Sequence, residues 1–209
     1  MSHCSTFEFA YAHEDLAVEA FRAMGLHPST DIVSFYGTDF GKHVLGGLGF
    51  VGQGAARAIV AKAGQFQLFL VKEDALYRLL VEHPSMGSRE KTQAGELAHA
   101  FQLAYVRRAL ERTASAFQAA GIRREFGSAP DGWVLRFGSD LERSVTVRIL
   151  ADGQLSEEVA GVSGSSCQDI TDPLEDLLCA PDVAVNTTWK PSYFEQVDDQ
   201  VVQVLRLSA

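Results

Sequence analysis

Gly47, Gly49 and Gly52, in the run Val44-Leu45-Gly46-Gly47-Leu48-Gly49-Phe50-Val51-Gly52, satisfy the GxGxxG spacing of a dinucleotide-binding turn. In such a turn the missing side chains let the backbone approach a pyrophosphate at a helix N-terminus, and a later acidic residue takes the ribose hydroxyls. Asp74 lies 22 positions after Gly52, and Ala55 to Ala63 is the segment that would supply the helix. The context opposes this reading. Asp39-Phe40-Gly41-Lys42-His43 is a poor strand where a strand must run directly into the turn, a hairpin follows Asp74 where a helix is needed, and no Tyr-x-x-x-Lys follows. The alternative is a small-residue helix or mobile loop that packs closely or docks on a partner, with Leu48, Phe50 and Val51 as its apolar contacts.

Cys167 is the candidate nucleophile. It precedes an expected helix N-terminus, a position that favours a thiolate. No Lys, Arg or His lies near it in sequence, and acidic residues surround it, so a small apolar packing role competes. His3 and His13 are the candidate metal ligands, because a strand and the following helix would let them face each other. Their spacing, with Cys4 beside them, matches no zinc pattern. Arg107, Arg108 and Arg112, with Arg123-Arg124, gather positive charge around the end of a helix. They complement its dipole, or dock an anionic surface such as an acidic C-terminal unit of the same chain. No cofactor is expected.

The elements that must position these residues follow from hydrophobic periodicity. Residues 3–11 alternate as a first strand. Leu16, Ala17, Ala20, Phe21 and Met24 form one face of a helix that Gly25 ends. Asp31 to Tyr36 reads as a strand, followed by a glycine-rich insertion at 37–64. Phe66–Val71 and Leu76–Val81 flank Lys72-Glu73-Asp74-Ala75 as a hairpin, 84–95 reads as a loop, and a helix is expected near 96–120, ended by Gly121. Ile122–Phe126 and Trp133–Phe137 flank Ala129-Pro130-Asp131-Gly132 as a second hairpin, and 145–149 and 155–162 flank Asp152-Gly153 as a third. Thr171 then caps a helix with Pro173 in its first turn and Leu174, Leu177 and Leu178 buried; 184–206 can add strand. The order predicts an α+β protein: a mainly antiparallel sheet with helices on one face in residues 1–140, then a small β-hairpin–helix module at 141–209.

Charge divides the chain near the same place. Of the formal net charge of −9, residues 1–150 contribute nothing, with 16 basic and 16 acidic side chains, whereas 151–209 hold 2 basic and 11 acidic ones. Such a balance opposes nucleic-acid binding, which needs clustered cations on phosphates. The least polar stretch, Val44 to Val60, is interrupted by Gln53 and Arg57 and falls short of a membrane span of roughly 20 residues. The opening Met1-Ser2-His3-Cys4-Ser5-Thr6-Phe7 has no basic region followed by an apolar run. With three cysteines and no CxxC, a cytoplasmic protein with reduced thiols is expected.

Two stretches resemble known families. Met1-Ser2-His3-x-Ser5-Thr6, the helix ending at Gly25, the Phe66–Val81 hairpin, and Ala104-Tyr105 with the helix running to Gly121-Ile122 resemble the hypothetical chloroplast reading-frame type of domain of unknown function. Residue 4 departs from it, being Cys where an aromatic is usual. Asp152-Gly153, Gly164, Cys167, Thr171, Leu174-Glu175 and Tyr193-Phe194 resemble a second small domain of unknown function, with a hairpin, a Gly-x-x-Cys and a Leu-Glu helix. The resemblance implies a fusion of two domains otherwise encoded as neighbours, with no assigned chemistry, near AAA-type ATPase or ferredoxin-like genes. The expectation is therefore a non-enzymatic adaptor whose partners are proteins, an AAA-type ATPase among the candidates, with homo-oligomerisation open. A nucleotide- or dinucleotide-binding enzyme using the Gly47–Gly52 turn is the alternative.

Overall fold

A computed structural model describes residues 3–7, 9–30, 58–82, 87–162, 166–180 and 185–189. The elements are β1 (His3–Phe7), α1 (Glu14–Ala23), β2 (Ala58–Ala63), β3 (Phe66–Glu73), β4 (Leu76–Glu82), α2 (Ser88–Thr113), α3 (Ser115–Ala119), β5 (Arg124–Ala129), β6 (Gly132–Phe137), β7 (Arg143–Ile149), β8 (Leu155–Ala160), α4 (Ser166–Leu178) and β9 (Asn186–Trp189). The fold is α+β with antiparallel sheets. Two compact units form, one from Met1–Ala10 with Val106–Ala209 and the other from Tyr11–Tyr105. This division differs from the expected boundary at 140. β6 and β7 lie on either side of that position, yet they are paired from Gly132↔Arg148 to Phe137↔Arg143 in one sheet.

In the unit Tyr11–Tyr105, β2, β3 and β4 form a three-stranded antiparallel meander. Leu68, Phe69, Leu70 and Val71 in β3 are all buried, as are Ile59 and Val60 in β2. Consecutive strand residues point to opposite faces, so both faces of this sheet are covered. The Ala58–Ala63 segment is thus strand, where the sequence offered a helix. Its small residues suit close packing in either state, and the β-branched pair Ile59-Val60 seats it in the ladder opposite Leu70 and Phe69. Helix α1 forms as expected, with Leu16, Ala17, Ala20 and Phe21 buried. It closes through Gly25, whose φ of 74° lets its N–H reach Arg22 O while Leu26 N–H reaches Phe21 O. Phe21 packs on Phe101 at 4.3 Å between ring centres, and Tyr11 lies against Phe101 and Tyr105. Helix α2 starts at Ser88, inside the expected loop. Arg89, Glu90 and Lys91 are good helix formers with little buried face, so periodicity does not reveal them.

In the other unit the sheet order is β5-β6-β7-β8-β1-β9, with every neighbouring pair antiparallel. The β5–β6 hairpin turns on Pro130, whose ring fixes φ, and Asp131, which takes φ 49°. Gly132 follows because β7 approaches so closely that a Cβ there would lie 2.0 Å from Val147 O. The Asp152-Gly153 turn joins β7 to β8, with Gln154 N–H on Asp152 Oδ1 at 3.1 Å. Phe117 of α3 stacks on Phe137 of β6 at 4.6 Å.

Helix α4 runs from Ser166, five residues before the expected cap at Thr171, and Pro173 lies inside it. An internal proline costs about 3 kcal/mol in a helix. The apolar stripe Cys167, Ile170, Thr171, Leu174 and Leu178 offsets that cost, because all five are buried at helical spacing. Strands β8 and β9 each run antiparallel to β1, and so parallel to one another. α4 carries the chain from β8 across to β9 and leaves one strand position between them, which β1 fills.

Candidate functional site

The residues with chemical potential gather beneath α4. Along β8, Leu155, Glu157 and Val159 point to the buried side while Ser156, Glu158 and Ala160 are partly exposed. Glu157 is fully buried. Burial holds its carboxyl well above the ordinary value of 4.5, with Glu175 and Asp172 of α4 adding like-charge repulsion. Cys179, just past α4, pairs with Phe9 through a backbone bridge. Its thiol is pushed up to about 12, first by burial, then by Glu175, Glu157 and Asp176. Burial disfavours the charged form of both groups, which opposes their acting as a nucleophile and base pair.

Cys167 belongs to the same helix and is fully buried in its apolar stripe. The helix start that was expected to activate it instead directs it into the core, where a solvent-borne electrophile does not reach it. Glu157 was missed by sequence reasoning, although its signal was present. It occupies the inward position of the alternating Leu155–Val159 pattern.

The arginines lie at the end of α2. Arg107 Nε bonds Glu111 Oε1 at 2.9 Å, and its guanidinium lies over the Trp133 ring at 4.7 Å. Arg108 bonds the other Glu111 oxygen. Glu111, three and four residues on, thus takes charge that sequence reasoning offered to the acidic C-terminal unit. Arg112 is the basic residue of the last turn of α2, where it complements the dipole.

The unit Tyr11–Tyr105 has a polar cluster of its own at the start of α1. His13 precedes the helix, and its backbone N–H donates to Tyr105 Oη at 3.1 Å. Tyr77 Oη donates to Glu14 Oε2 at 2.5 Å. Tyr11 is partly buried, and its desolvation, then Tyr105, raises its phenol far above its ordinary value. These groups anchor the helix entry.

His3 is in β1, opposite Val159 and Trp189. Among the described residues no three His, Cys, Asp or Glu side chains are placed to hold a metal ion. Asp74 sits in the β3–β4 turn with φ 53°. The strands it joins are antiparallel, whereas a dinucleotide turn uses the carboxyl ends of parallel strands. Gly47, Leu48, Gly49, Phe50, Val51 and Gly52 lie outside the described residues, as does the expected strand at 31–36. No helix among the described residues is long and apolar enough to cross a membrane.

Fold and site define an α+β protein with buried ionisable groups on an antiparallel sheet crossed by α4. Residues 145–194, spanning most of β7 with β8, α4 and β9, match the model of a protein family of unknown function, DUF2997. No curated protein and no solved structure matches the chain.

Proposed function

We propose that the protein is a non-enzymatic accessory or adaptor subunit that acts through protein–protein contact. The observation that carries this reading is the end of the six-stranded sheet. β9 is the last strand in the order, four residues long, and it ends in Trp189, the exposed large apolar side chain among the described residues. An exposed tryptophan is the residue type that anchors protein–protein contacts. The burial of Cys167 and the raised thiol of Cys179 favour a packing role over thiol chemistry, in keeping with this reading.

Within this reading the chain joins a domain of the hypothetical chloroplast reading-frame type to its C-terminal module. It works in the cytoplasm, and an AAA-type ATPase or a ferredoxin-like protein is its partner class. Crosslinking and pull-down from native extract test the proposal. The wild-type chain is expected to recover a specific protein, and Trp189→Ala to recover at least fivefold less. A chain that stays strictly monomeric and recovers nothing specific overturns it.

A further inference from the structure

We propose that β7, β8, α4 and β9 form a strand-acceptor module, and that the slot between β8 and β9 takes an extended peptide of the His3–Phe7 type, supplied here by the chain's own N-terminus and able to be supplied in trans.

The slot follows from topology. β8 and β9 are parallel, joined through α4, and separated by one strand position. Neighbouring strands lie about 4.8 Å apart, so the gap is roughly 9.6 Å wide and fits one extended chain. Its two walls are backbone edges whose N–H and C=O groups need partners. β1 meets both. His3 to Phe7 face Val159 to Leu155 on one side, and His3 to Thr6 face Trp189 to Asn186 on the other.

The strand that fills the slot is remote from its walls. Between Phe7 and β5, the next strand of the same sheet, the chain passes through the entire Tyr11–Tyr105 unit. The family match makes the point sharper. Residues 145–194 include both walls and the crossover helix but not β1.

Recognition is by main-chain ladder on two sides, which suits a proline-free, extended segment of small and β-branched residues. This inference is independent of the adaptor reading, which concerns the exposed Trp189 side chain.

The test uses the full chain carrying Ser5→Pro, together with a labelled synthetic peptide of residues 1–10. A proline in a central strand removes a ladder donor, so the chain's own strand is weakened. The variant is expected to melt lower than wild type, and the peptide to restore its Tm with increasing dose. The peptide is also expected to bind the variant at least tenfold more tightly than wild type, whose slot is filled. A peptide that itself carries Ser5→Pro does neither. Should the variant fail to fold alone, refolding with the native peptide is the readout, and rescue supports the proposal. Absence of rescue, equal binding to both chains, binding to neither, or a variant as stable as wild type overturns it.

Discussion

Ser5 in β1 stands opposite Glu157 in β8 in the antiparallel register. Ser5 therefore neighbours the one fully buried carboxyl among the described residues. The sheet that buries Glu157 beneath α4 is complete only with that first strand in place.

Glu157 sets a pH dependence with an inverted sign for a carboxylate. Its folded-state pKa lies above the unfolded one, so its contribution to stability is fully present below about 4.5 and is lost as pH rises through the folded value. Each unit of that difference costs about 1.4 kcal/mol once both states are ionised. Glu157→Gln keeps the shape and removes the titration. Urea unfolding is expected to show Glu157→Gln more stable than wild type at pH 8, with the gap closing toward pH 4.

The thiols give a second test. Cys167 is fully buried, and Cys179 is nearly so with its thiol raised to about 12. Alkylation at pH 8 followed by peptide mass mapping is expected to leave both unlabelled in the native chain and to label both in denaturant. Fast native labelling of Cys167 would restore the nucleophile reading.

Gly132→Ala tests the β6–β7 approach. A Cβ 2.0 Å from Val147 O cannot be accommodated without moving backbone. Thermal unfolding is expected to show a loss of more than about 3 kcal/mol, in the range of severe overpacking.

Local features were legible in the sequence, and distant pairings were not. The hairpins at 66–82, 124–137 and 143–160 are written in alternation and turn residues such as Pro130-Asp131 and Asp152-Gly153. Helix α1 is written in its apolar stripe and Gly25. The pairing of β1 with β8 and β9 leaves no local mark, because any alternating strand could fill the slot. The opening turns of α2 lack a buried stripe, and Pro173 hid the first turns of α4, whose stripe begins at Cys167. At the site, Glu157 was legible as an inward residue of an alternating strand. Its closeness to Glu175 and Cys179 depends on how α4 lies on the sheet, which periodicity does not encode.

The central claim is that the N-terminal strand lies between β8 and β9, and one substitution tests it directly. Cys4 stands opposite Thr188 in the β1–β9 register. Residues directly opposite in an antiparallel pair have Cα atoms about 4.5–5.5 Å apart, within disulfide range. Thr188→Cys is therefore expected to form an intramolecular bond to the native Cys4 under mild oxidation. Mass mapping would show it as the Cys4 peptide joined by a disulfide to the peptide that carries the substitution. Thr187→Cys, whose side chain points to the opposite face, is expected to leave Cys4 reduced. A Thr188→Cys chain that stays reduced, or that links to Cys4 no better than Thr187→Cys does, contradicts the account.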